Sequence, residues 1–370
     1  MQLKHYTHLF TENKIKWRPL AAIIFNDMRK RKNNFTLTEY LFCTILLIII
    51  FIISTCLGSV NIPFSEIGDV ILSLLNIKDE ASITYYSILV HVRIPRIICV
   101  ALEGAALSLC GAGMQGLLRN PLADGSTLGV SAGASLGAIL AIAFGFNFSF
   151  FIGDTTMIMA MIGAYLSLML ILSIAYKLDY SLATNTIILV GVIFSMFASS
   201  IMSLLITFAN DKVNNIIFWT MGSLSGADYM DALALLIATT ICGAVILKHA
   251  DELNAFAIGE ENARNIGVDI RKTKLMILVF VSILIGVCVS IAGTIGFVGL
   301  VIPHITRMVF GPNHKRVLPA SLFFGASFLM LTDLISRTLF SPRELPLGVI
   351  TSLIGSVVFV YIFYKSREVK

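Results

Sequence analysis

Apolar residues along this chain do not alternate with polar ones. They run in blocks of about 20 residues, separated by short polar stretches. A helix of that length crosses a ~30 Å hydrocarbon core. Ten such blocks occur, at about 38–57, 96–118, 127–146, 155–177, 184–208, 229–248, 274–293, 295–311, 317–340 and 346–364. The eighth is short and broken by Gly296, Gly299 and Pro303. The pattern predicts an all-α polytopic membrane protein with ten transmembrane helices in one bundle.

Composition fits this picture. The 370 residues are 57% hydrophobic and 13% charged, against about 25% charged in soluble domains. The net charge of +5 is topological rather than a nucleic-acid footprint. With the N-terminus in the cytoplasm, 21 of the 27 Lys and Arg fall in cytoplasmic segments. The positive-inside rule favours that orientation, and an even number of spans returns the C-terminus to the cytoplasm. Residues 1–37 read as a basic cytoplasmic extension with no cleavable signal peptide. Trp17 and Phe25 either rest it on the membrane surface or belong to a disordered tail. The six cysteines lie in or at the ends of apolar blocks without paired spacing, so they read as small buried hydrophobes. The six histidines show no metal-ligand spacing.

One polar cluster interrupts the second and third blocks: "GLLRNPLADG", residues 116–125. It predicts a cytoplasmic turn in which Pro121 ends one helix and Asp124 or Ser126 caps the next. The neighbouring Gly113-Met-Gln-Gly116-Leu117 has an echo in Gly296-Phe-Val-Gly299-Leu300. Each is followed by a proline and then a span rich in small residues. The spans concerned differ by five, so the echo predicts an inverted internal repeat. Small residues packing helices together give the same pattern.

Chemistry of the enzymatic kind is missing. There is no phosphate loop, nucleophile turn or zinc helix. Acids inside spans are few, Glu103 and Asp333. Glu103 either faces a neighbouring helix, paired or protonated, or touches a pathway or an interface. An ion-coupled carrier needs more such positions. The long cytoplasmic segment "HADELNAFAIGEENARNIGVDIRKTK" (249–274) contains two short amphipathic helices punctuated by Gly259 and Gly267, with Ala263 and Ile266 assigned to the apolar side of the second. They read equally as a solvated lid or as a docking surface for a soluble partner. On the outer face, Arg93, Arg96 and Arg337 suit either carboxylates of a partner or lipid headgroups.

The stretch "VRIPRIICVALEGAALSLCGAGMQGLLRNPLADGSTLGVSAGASLGA" (92–138) resembles the signature of FecCD-type permeases. These are the membrane subunits of binding-protein-dependent ABC importers for iron–siderophore complexes, haem and vitamin B12. "LNAFAIGEENARNIGVDI" (253–270), "AGTIGFVGLVIPHITRMVFGPNHKRVLPAS" (292–321) and "RELPLGVITSLIGSVVF" (343–359) resemble it too, in the family's order. The resemblance covers residues 38–366 and excludes the extension before them.

It implies a type II importer permease fold, multi-pass in the bacterial cell membrane. It also implies a second permease subunit, two ATP-binding cassette subunits and an extracellular or periplasmic binding protein. ATP and Mg would be used by the partner ATPase, with no cofactor on this chain. By the resemblance Arg93, Arg96 and Arg337 meet acidic residues of the binding protein. Leu122, Thr184 and Asn185 form a cytoplasmic gate. Leu253, Phe256, Gly259, Glu260, Ala263 and Ile266 belong to coupling helices, about 253–268. A ferric siderophore is the expected substrate, with haem or cobalamin as the alternative. A self-powered secondary transporter and a non-transporting scaffold are the rival classes. Glu103 departs from the family's small or apolar residue.

Overall fold

The computed structural model describes residues 34–58, 60, 62–63, 68–70, 73, 83–146, 154–180 and 183–368. The predicted extension therefore lies outside the described residues up to position 33, Trp17 and Phe25 with it. Every described element is helical. Besides the short helical segments Ile83–Ser87, Ile88–Arg93, Gly125–Leu128 and Asn210–Lys212, they are, in chain order, α1 (Leu37–Cys56), α2 (Ile94–Leu118), α3 (Val130–Phe144), α4 (Thr155–Leu178), α5 (Thr184–Phe208), α6 (Val213–Thr220), α7 (Tyr229–Lys248), α8 (Ala250–Ala257), α9 (Glu260–Asn265), α10 (Ile270–Ala292), α11 (Val298–Phe310), α12 (His314–Thr338) and α13 (Leu347–Glu368).

A helix falls on each of the ten predicted blocks. Seven are long and apolar enough to cross a membrane, whereas α3, α11 and the apolar part of α13 are shorter. The second span is longer than predicted: Tyr85–Leu118 runs through 34 residues. Its continuity past Pro95 comes from a wider turn at Ile88–Arg93, where the Ile94 N–H donates to the Leu89 carbonyl. That register change precedes the residue that has no N–H to give.

Local sequence sets the helix starts. Thr36 and Glu39 form a reciprocal cap on α1, the Thr36 N–H donating to Glu39 Oε2 at 2.8 Å. Asp154, Asp228, Asp269 and Asn313 accept first-turn N–H groups of α4, α7, α10 and α12. The turn at 116–125 keeps one predicted edge and moves the other. Its first helix ends at Leu118, where the block ended, with Arg119 in the left-handed region (φ 49°) ahead of Pro121. The next starts at Val130 behind Gly129, not at a cap from Asp124 or Ser126, because a single tight turn at Gly125–Leu128 intervenes.

Helix α2 is the axis of the bundle. It packs on α12 along most of its length and also touches α7, α10 and α11. Close approach requires glycine at one crossing: a Cβ on Gly111 would stand 1.8 Å from the Gly299 carbonyl oxygen. The two echoing segments are thus packed face to face. Gln115 Nε2 donates to the Gly299 and Leu300 carbonyls at 3.2 and 3.1 Å, and Arg307 donates to Gln115 Oε1. Helices α3 and α4 form a second closely packed pair. At the inner end, the side predicted to be cytoplasmic, the buried Glu39–Arg316 ion pair ties the start of α1 to the start of α12.

Candidate functional site

The three arginines expected on the outer face are inside the bundle, each with partners in this chain. Arg93 and Arg96 share one side of the second span, one turn apart. Arg93 Nη1 donates to the carbonyls of Thr55 and Cys56 at 2.9 and 3.3 Å, and Nη2 to that of Val60. Arg337 donates to the Ser54 and Leu57 carbonyls at 3.1 and 3.4 Å. The last carbonyls of any helix lack intrahelical donors. Here α1, which has no basic residue in its own last turn, is capped by guanidiniums from two other helices. Asp333 joins the cluster, accepting from Arg96 at 2.9 Å through Oδ1 and from Arg337 at 2.8 Å through Oδ2. Arg96 also donates to Glu344 at 2.7 Å. Glu344 is the open member, its side chain 32% exposed against 1% for Asp333. Sequence alone assigned Arg96 without its acids because Asp333 and Glu344 lie 237 and 248 positions away, whereas the Asp333–Arg337 pair, four residues apart on one helix, was within reach of the pattern and was passed over.

At the inner end, Leu122 projects from its turn and is 48% exposed. The turn is held by Asn120, whose Oδ1 accepts the Leu122 N–H at 2.9 Å, and by fully buried Ala123. Thr184 and Asn185 open α5, Asn185 exposed and Thr184 half-buried. Helix α5 packs against the Gly125–Leu128 turn, and both elements border one cavity, the turn through Asp124 and Gly125 and α5 through Ser199 and Met202, while Leu122, Thr184 and Asn185 are not among its lining residues. That cavity, about 510 Å³, lies between α2, α3, α5, α10 and the 294–300 segment. Asp124 and Gly125 line it beside Ser131, Ser135 and Ser199, on an otherwise apolar wall. The serines of α3 were legible only as small packing residues; which of them face a cavity depends on packing that a single helix pattern does not specify.

The pair α8–α9 meets the start of α5, where the Thr184 hydroxyl donates to Glu260 Oε1 at 3.4 Å. Leu253, Phe256 and Ala263 are buried and anchor it to the bundle, while Ile258 and Ile266 are 59% and 66% exposed. Ala263 and Ile266 therefore do not share a face as predicted. Ile266 stands past the end of α9, where helical spacing no longer applies. Asn254 fastens α8 to the start of α12: its Nδ2 donates to Asn313 Oδ1 at 2.9 Å, and its Oδ1 accepts the His314 N–H at 2.8 Å. Glu260 carries a 2.9 Å ion pair with Lys274, which is 1% exposed. Sequence reasoning passed over Asn254 and Lys274, whose partners come from other elements.

Glu103 faces the helix neighbour rather than the cavity. Its carboxyl is 1% exposed, lies against the Cys288 thiol of α10, and has no cationic partner among the described residues. All six cysteines are buried and free, as their spacing predicted. Among the described residues no cluster of His, Cys, Asp and Glu has metal-holding geometry.

With this geometry in place, comparison with known proteins defines the class. The model of the FecCD transport family matches residues 46–365, and the chain belongs to that family. It is 40% identical over 284 residues to the uncharacterized ABC transporter permease protein YvrB of Bacillus subtilis, covering 77% of this chain and 80% of that one. It is 37% identical over 279 residues to the cobalamin import system permease protein BtuC of Halobacterium salinarum, covering 75% and 73%. A solved structure described as an inward-facing metal-chelate type ABC transporter superposes with a TM-score of 0.77 at 29% identity, covering 88% of this chain and 98% of the other.

Proposed function

We propose that this chain is the permease subunit of an ABC importer for a bulky metal chelate, a ferric siderophore first among them. The observation that carries the reading is the family match, which spans nearly the whole described bundle. The chain binds no cofactor of its own in this reading. ATP and Mg are used by two partner ATPase subunits, a second permease subunit completes the pathway, and an external binding protein delivers the chelate. Ten crossings of the type II importer arrangement, with an inverted repeat, place both termini in the cytoplasm.

The geometry gives this reading its mechanics. Ile258 and Ile266 offer the ATPase an apolar contact, while Leu253, Phe256 and Ala263 transmit the push into the bundle. The largely apolar cavity, with isolated hydroxyls, holds a bulky chelate weakly enough to release it. Leu122 with Thr184 and Asn185 closes its inner mouth. The outer arginines meet the binding protein through Arg96, whose internal acid Glu344 is the one reachable from outside. Each movement requires contacts that differ between the two states. The 37% identity to a cobalamin permease supports cobalamin as the second reading.

The test is uptake in cells lacking this chain and in cells given it back with its ATPase and binding-protein partners. Restored uptake of radiolabelled ferric siderophore is the expected result. Restored cobalamin uptake alone assigns the second substrate. ATP-independent uptake by the purified chain in vesicles overturns the importer reading.

A further inference from the structure

The two predicted gate elements meet the α8–α9 pair at the Gly259–Glu260 junction. Glu260 Oε2 is held at 2.9 Å by the ammonium of Lys274. A charge-assisted bond of this length to a buried ammonium is among the strong ones and holds the carboxylate in place. The other oxygen, Oε1, accepts from the Thr184 hydroxyl at 3.4 Å. That bond is near the outer limit of hydrogen bonding, so it is made and broken at little cost. One residue earlier, Gly259 has φ 110° and no side chain. Arg119 Nη1 stands 3.9 Å from the place a Cβ would occupy there. Arg119 begins the turn that carries Leu122, and Thr184 begins the helix that carries Asn185.

We infer that Glu260 is a positioning residue that links the ATPase-facing pair to the inner gate, resting on the importer reading above. Its bond to Lys274 makes the carboxylate part of the rigid bundle. Its weak bond to Thr184 is the contact that differs between gate states. The side-chain-free Gly259 lets the Arg119 turn slide past the same point. Movement of α8–α9 driven through exposed Ile258 and Ile266 then reaches both gate elements from one place.

The experiment uses the full chain copurified with its ATPase partner, carrying Leu122→Cys. The six native thiols are buried, so a membrane-impermeant maleimide reports on position 122. Labelling rate is measured with and without ATP. Glu260→Ala and Thr184→Val are each expected to reduce the nucleotide-dependent change in rate at least fivefold, while Glu261→Ala, an exposed neighbour, leaves it intact. Glu260→Ala/Lys274→Met removes the buried ammonium along with its carboxylate. It is expected to give the same loss with the ATPase still bound, which separates positioning from folding. A full nucleotide response in Glu260→Ala overturns the inference and leaves the importer reading standing. No nucleotide response in the chain carrying only Leu122→Cys overturns the gate assignment itself, and this inference with it.

Discussion

At the outer end of the bundle, three guanidiniums and Asp333 close on one another and on the last carbonyls of α1, and all four side chains are buried. At the inner end, Glu260 spends one oxygen on Lys274 and leaves the other on a long bond to Thr184, and Ile266 and Leu122 are exposed. The same residue types serve opposite ends. Where every donor and acceptor is matched, moving one group strands the others, and the cluster acts as a clasp. Where matches are partial and apolar side chains face solvent, two arrangements differ little in free energy, which a switching element requires.

Asp333→Ala breaks this contrast most directly. It strips both Arg96 and Arg337 of a buried carboxylate and should cost about 3–5 kcal/mol, the usual effect of removing one partner of a buried pair. The expected result is loss of folded chain at temperatures the unsubstituted protein tolerates in detergent. A melting temperature unchanged in Asp333→Ala would mean that water reaches this cluster. Gly111→Ala tests the packing that joins the two halves. Its new Cβ has no room against the Gly299 carbonyl, and the helices must separate. Overpacking of this kind costs about 1–3 kcal/mol, read as a lower melting temperature with α-helical content retained.

How much of this was legible in the sequence follows from the range of each interaction. Hydrophobic blocks report on single helices, so all ten segments carry helices where predicted, with edges shifted by caps and by the wide turn before Pro95. The turn at 116–125 was visible as a turn. The end of its first helix at Leu118 was legible too, whereas the start of the next behind Gly129 was not, because the tight turn at Gly125–Leu128 intervenes. The arginines were assigned to a partner or to lipid because Arg96 finds its acids 237 and 248 positions away; the Asp333–Arg337 pair, at helical spacing, was legible and went unread. Partners on other elements likewise hid Asn254 and Lys274. Ile266 was placed on the buried face because helical spacing was extended one residue beyond the helix.

Ile266→Ser probes the inner end without touching the core. The side chain is two-thirds exposed, so folding stability should change by less than about 0.5 kcal/mol. Recovery of the ATPase partner with the chain should instead fall about tenfold, since a single apolar anchor at an interface is worth about 1.4 kcal/mol or more. Equal losses of stability and of partner would place Ile266 in the structural anchor with Phe256, and the division between buried and presented faces of α8–α9 would fail.

Glu344→Gln has the smallest expected effect and makes the finest distinction. The residue pairs with Arg96 at 2.7 Å but keeps a 32% exposed side chain. Arg96 retains Asp333 when Glu344 is neutralised, and an ion pair of this exposure contributes about 0–1 kcal/mol. The melting temperature should therefore move little, in contrast to Asp333→Ala. Freed of one internal acid, Arg96 gains capacity for an external carboxylate, so the binding protein proposed above should dock more tightly in a surface-immobilised assay. The gain should shrink as salt is raised, because the contact lies at the edge of the cluster where ions screen it. Weaker docking in Glu344→Gln would show that the acid, and not the arginine beneath it, is what a partner recognises at the outer end.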